Sequence, residues 1–143
     1  MPRVRLITLS LLAATALLIP GSEALASTHA TSSQARAVAR ALRSSPVDDI
    51  DKTPTNRYTV TNVRISTVSK AWAMASLVPT KAYRNKFQAA TAVAVKPAGT
   101  REWVIVDLGT AEVGCGIAPN PVLTDLLGLK GGEVPCPTGT GIA

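Results

Sequence analysis

The chain contains one histidine and two cysteines in 143 residues. A structural zinc site needs more Cys or His ligands than these, and His29 is far along the chain from both cysteines. A Ser-His-Asp triad would have to use His29, which sits in a polar N-terminal stretch. Cys115 and Cys136 lack the C-x-x-C spacing of a redox pair. Counting an EF-hand loop from Asp48 places Thr53 and Thr59 where glycine and glutamate are required, so Asp48, Asp49 and Asp51 do not form one. Gly114-Cys115-Gly116 and Gly131-Gly132 match no phosphate-binding loop and read as turns. Internal repeats and coiled-coil heptads are also missing. No metal and no cofactor is expected.

Long apolar runs are scarce as well. The one candidate, Leu6 to Ile19, is free of charge, but at about 14 residues it is shorter than the ~20 that cross a bilayer. Arg3 and Arg5 precede it, Pro20-Gly21 break it, and Ala24-Leu25-Ala26 offers small residues at a peptidase site. That order is the pattern of a cleavable secretory signal over residues 1–26. No cysteine follows the run closely, so no N-terminal lipid anchor is expected. The mature product, 27–143, is expected to be one secreted or cell-wall-associated domain without a membrane span. Losing Arg3, Arg5 and Glu23 with the signal would lower the formal net charge from +6 to +5. That modest excess favours salt-screened contact with anionic polymers or acidic proteins, and gives no indication of nucleic acid. In an exported chain the two cysteines have one possible pairing, Cys115 with Cys136. Closing that loop constrains the unfolded chain by about 3 kcal/mol in the entropy account of disulfides.

Residues 27–56 divide into a polar lead-in to Ser33, a helix to about Arg43 capped by Ser32 or Ser33, and a loop holding Pro46 and Pro54. Ala35, Val38, Ala39 and Leu42 make the apolar stripe of that helix. Arg36, Arg40 and Arg43 lie on another face, as a solvated side or an electrostatic contact strip. From Arg57 the pattern turns to strands: one with Tyr58 and Val60 on one side and Val63 and Ile65 on the other, then Trp72–Val78, Phe87–Val95 and Glu102–Leu108. The parity switch around Thr61-Asn62 predicts a β-bulge or a bend in the first strand. Connections this short allow only antiparallel neighbours. A Pro-led helix capped by Asn120 follows and stops at Gly128. The expected fold is α+β: an N-terminal helix on a four-stranded antiparallel meander, with a disulfide-stapled helical appendage, spanning 57–143 after the helix. Its element order looks like that of cystatins, without their Q-x-V-x-G signature, since Ala-Ala-Thr-Ala follows Gln88.

Trp103-Val104-Ile105-Val106-Asp107-Leu108-Gly109-Thr110, with Trp72-Ala73-Met74-Ala75 before it and Val113-Gly114-Cys115 after it, resembles a class of small exported actinobacterial proteins. In that class a strand carrying W-x-V-V-D-x-G-T precedes a Cys, a short Pro-led helix and a closing Cys; here Ile105 replaces the first Val. The resemblance covers about Arg57 to Cys136 and implies no activity.

Two binding features stand out. The loop Lys81-Ala82-Tyr83-Arg84-Asn85-Lys86 sets three cations around an aromatic ring, which suits a phosphate- or carboxylate-bearing partner or serves solubility alone. The second is the sheet face expected opposite the helix. If Val104, Val106 and Leu108 meet the helix, Trp103 and Ile105 face away with Trp72, as an open ligand surface or beneath Leu123, Leu126 and Leu127. Asp107 then shares the Trp103 face, either as a base with a raised pKa or as a strand-end carboxylate that pairs with Arg64 or caps a turn. The leading expectation is a non-enzymatic binding domain for an anionic cell-surface polymer or a secreted protein. The alternatives are a small-ligand pocket or weak enzyme around Asp107, and an inhibitor of an extracellular enzyme.

Overall fold

The computed structural model describes residues 27–45, 57–130, 133, 135 and 136. The expected signal, most of the aspartate-bearing loop and the tail from Pro137 lie outside the described residues. Five strands and two helices follow in the order β1 (Thr28–His29), α1 (Ser32–Ser44), β2 (Tyr58–Ile65), β3 (Trp72–Pro79), β4 (Ala90–Val95), β5 (Val104–Gly109) and α2 (Asn120–Leu127). The strands form one antiparallel sheet in sequence order. The architecture is α+β, with a fifth strand added to the expected four.

That strand comes from the lead-in expected to be unstructured. Thr28 pairs with Ile65 and His29 with Arg64, and Ala30 N–H donates to the Val63 carbonyl at 2.9 Å. Two residues carry no readable periodicity; pairing here is set by backbone groups alone. The helix cap shifts accordingly, from Ser32 or Ser33 to Thr31. Thr31 Oγ1 accepts from Gln34 N–H at 3.3 Å, while Gln34 Oε1 accepts from Thr31 N–H at 2.8 Å. This reciprocal box needs Glu or Gln three residues on. Thr31 has Gln34, whereas Ser32 and Ser33 would meet Ala35 and Arg36. Along α1 the buried residues are Val38, Ala41 and Leu42, with Ala39 only half-buried.

The bulge in β2 lies where the parity switch predicts it, with register shifting between Thr61 and Arg64 and Asn62 at φ 47°. One extra residue turns the strand over. Tyr58 and Val60 therefore pack on the same α1-side core as Val63 and Ile65 rather than opposite to them. Trp72 and Met74 of β3 point to the other face, and Ala73, Ala75 and Leu77 to α1. In β4, Ala92 and Ala94 face α1 while Val93 is fully buried on the far side. Phe87 to Ala89, expected in this strand, precede it as loop.

Strand β5 overturns the expected facing. Trp103, just before it, and Ile105 are buried against α1, 8% and 5% exposed. Val104 is exposed, and Val106 packs on the far face. A second register shift, between Val93 and Ala94, leaves Val106 as the extra residue, so Val106 and Asp107 together oppose one residue of β4. Beyond it Leu108 returns to the α1 side.

The far face is covered by α2, which buries Val122, Leu123 and Leu126 against Met74 and Val93. Leu127, expected to help, is 41% exposed. Helix α2 begins with Asn120 inside it; the capping position is Pro119, without a side-chain bond, and Pro121 fills the first turn. Gly128 closes it in the left-handed region. Cys115 and Cys136 are bonded, 21 residues apart, and pack half-buried beside this core. Reducing this bond, or replacing both cysteines by serine, is expected to lower stability by about 3 kcal/mol. Urea unfolding of oxidised and reduced protein tests it, and matching midpoints would contradict it. No helix among the described residues is long and apolar enough to cross a membrane.

Candidate functional site

Each face of the sheet carries its own buried cluster beneath a helix, and the two tryptophans separate between them. Trp103 is buried under α1, with Lys96 Nζ 5.5 Å from its ring centroid. Trp72 lies half-buried on the α2 side. They do not form the joint patch expected of them.

Asp107 also faces the α2 side, opposite Val93. One carboxylate oxygen accepts from its neighbour Leu108 N–H at 2.8 Å, and the other accepts from Gly114 N–H. The bond to Gly114 pins the start of the disulfide loop to the end of β5, while the bond to Leu108 stays within the strand and fixes the carboxylate. Capping a turn is its position; pairing with Arg64 is not. Arg64 instead donates from Nη1 to the Leu126 carbonyl at 3.0 Å, at the carbonyl end of α2, where a cation is favoured.

A second carboxylate, absent from the expected candidates, is more deeply engaged. Asp125 of α2 is 8% exposed. Its Oδ2 accepts from Ser66 Oγ–H and Thr67 N–H, both at 2.7 Å, and its Oδ1 accepts from Thr67 Oγ1–H at 3.0 Å. Ser66 Oγ in turn accepts from Ser69 N–H at 3.2 Å. The carboxylate fastens the β2–β3 turn to α2, and its acceptor capacity is spent on that turn. Nothing local marks Asp125 in the sequence, because its partners are nearly 60 residues away in the chain. Among the described residues no group of three or more His, Cys, Asp or Glu side chains is placed to hold a metal ion.

The basic loop has a definite shape. Residues 80–87 fold as successive turns, with Tyr83 N–H donating to the Thr80 carbonyl and Lys86 N–H and Phe87 N–H to the Tyr83 carbonyl, at 2.8 to 3.0 Å. Tyr83 is half-buried rather than exposed, its ring centroid 5.8 Å from that of Phe87, which lies 5.6 Å from Tyr58. Arg57 joins this cluster. Its guanidinium carbon stands 5.9 Å from the Tyr83 centroid and 5.7 Å from that of Phe87, and Lys86 Nζ is 5.9 Å from Tyr83. Arg57 arrives through the hairpin: Tyr58 pairs with Pro79, and Thr80 N–H donates to the Arg57 carbonyl at 2.8 Å.

This end of the sheet therefore gathers Arg57, Lys81, Arg84 and Lys86, all exposed. None of these cations pairs with a carboxylate among the described residues. Two are located by ring faces instead. Arg57, Tyr58 and Phe87 were not among the expected binding residues. The strand pairing that joins Arg57 to the loop is the signal that reveals them.

Compared with known protein families, with curated proteins and with solved structures, the chain matches none of them.

Proposed function

We propose that this chain is an exported, non-catalytic binding domain that holds an anionic polymer of the cell surface through the basic end of its sheet. The carrying observation is that Arg57 stands over the Tyr83 and Phe87 rings and Lys86 over Tyr83, and that neither pairs with a carboxylate among the described residues. A lysine or arginine free in solvent loses considerable side-chain entropy when it grips an anion. Cations already held on ring faces lose less, and they keep their donors for a carboxylate or phosphate. Export is supported by the N-terminal charge, apolar run and small-residue site, and by the Cys115–Cys136 bond, which persists in oxidising compartments. The two covered sheet faces favour this loop over the tryptophan surface as the contact.

The test is retention of the purified protein on a carboxylated polysaccharide resin at low and high salt. Retention is expected at ~20 mM salt and loss by ~1 M, where screening acts within about 3 Å. Reversing Lys81, Arg84 and Lys86 to glutamate should abolish binding, while reversing the equally exposed Arg36, Arg43 and Lys70 should weaken it only slightly. Equal loss from both triple variants would show a net-charge effect and refute a dedicated site.

A further inference from the structure

At the other end of the sheet, where Trp72 pairs with Val95 and Val95 with Val104, a cleft of about 180 Å³ opens between α1 and the chain entering β5. Ala37, Ala41 and the Trp103 indole line it as apolar surface, and Arg40, Arg101 and Glu102 line it as charged surface. The Ser44 hydroxyl at its side turns its one proton back to the Arg40 and Ala41 carbonyls, at 3.1 and 3.4 Å. The Arg40, Arg101 and Glu102 side chains form no ion pair with one another or with any other described residue.

We infer that this cleft is a second binding site, for a single acidic sugar unit: one six-membered ring bearing a carboxylate and hydroxyl groups. Size sets the first limit, since an apolar cavity of ~150 Å³ admits one benzene-sized ring. The lining sets the second. Two guanidinium groups offer donors in the fork geometry that matches a carboxylate. Glu102 is acceptor-only when ionised and needs donors. An inorganic anion satisfies the arginines and repels Glu102, and a neutral sugar bonds to Glu102 but offers the arginines only weaker, uncharged acceptors. A sugar acid supplies acceptors to Arg40 and Arg101 from its carboxylate and donors to Glu102 from its hydroxyls. Its apolar ring face meets the alanines and the edge of Trp103. This site does not depend on the basic loop, and its residues are different, so each can fail alone.

The chain's two tryptophans make the test direct. Trp72 lies on the opposite face of the sheet, so Trp72→Phe leaves Trp103 as the sole indole reporter. Titrating this variant with glucuronate should change its fluorescence saturably at millimolar concentration. Arg40→Ala and Arg101→Ala should each weaken the response about tenfold or more, while glucose and inorganic phosphate should give none. If Trp72→Phe does not fold, the wild-type indole N–H resonances report the same event, and only that of Trp103 should move. No saturable change, an equal response to phosphate or glucose, or an undiminished response in both arginine variants would each overturn the assignment.

Discussion

Gly114→Ala is expected to destabilise the protein by about 3–4 kcal/mol, among the largest losses a single methyl group can cause here. Gly114 has φ +88°, a region that costs a non-glycine residue about 1–3 kcal/mol. The added methyl would lie 2.7 Å from Leu123 Cδ2 and 3.2 Å from Val93 Cγ2. Both side chains are fully buried, so neither can move aside without disturbing the α2-side core. Such overpacking adds about 1–3 kcal/mol. Gly116 supplies the control, because it has φ +76° with nothing within 4 Å of an added methyl. Gly116→Ala should cost only the backbone term, ~1 kcal/mol. Thermal unfolding separates the two, since ~1 kcal/mol moves the Tm of a domain this size by about 3–5 °C. Equal shifts for the two variants would mean that the disulfide loop does not press on Leu123 and Val93.

Asp125→Ala is expected to cost a similar amount, about 3–4 kcal/mol, by a different route. The substitution removes an acceptor from a buried hydroxyl and a turn amide, Ser66 Oγ–H and Thr67 N–H. Bonds to a charged acceptor contribute about 1.5–3 kcal/mol each, and the donors left behind remain away from water. Asp125→Asn should fall between, at ~2 kcal/mol. Its amide keeps one oxygen as acceptor but turns an N–H₂ group toward a site where donors already converge. Hydrogen exchange distinguishes this local fastening from general loss of stability: the Thr67 amide should exchange faster in Asp125→Asn than the global destabilisation accounts for. Unchanged exchange at Thr67, together with a cost below ~1 kcal/mol, would show that the carboxylate does not hold the turn.

Asp125 also shows why part of this molecule is hidden from a linear reading. On the helix it occupies an ordinary position between Thr124 and Leu126. Its meaning comes from the β2–β3 turn, which lies beside α2 only in the folded structure. Arg57 is a similar case, since its place beside Tyr83 and Phe87 depends on the hairpin register that sets Tyr58 against Pro79. The arginine stripe of α1 is legible as a stripe, and all three members are exposed. That Arg40 shares a cleft with Arg101 is not legible, because the crossing of α1 over β5 decides it.

The two bulges define the boundary sharply. In β2 the apolar residues change parity between Val60 and Val63, so the sequence carries the bulge in its own pattern. In β5 the run Val104-Ile105-Val106 is apolar at both parities, and no pattern marks Val106 as the extra residue. When both faces of a sheet are buried, hydrophobicity no longer says which face is which, and a one-residue slip exchanges every side chain. Trp103 was therefore expected on the wrong side. Element types, their order, the disulfide partners, the end of α2 at Gly128 and the antiparallel pairing follow from the sequence by itself, because local backbone preference, short connections and a single possible cysteine pair dictate them. The extra edge strand, the facing of β5, the separation of the two tryptophans and the gathering of cations on aromatic rings were decided only in the tertiary structure. Each of these depends on register and helix placement between segments distant in the chain, and no local signal encodes them.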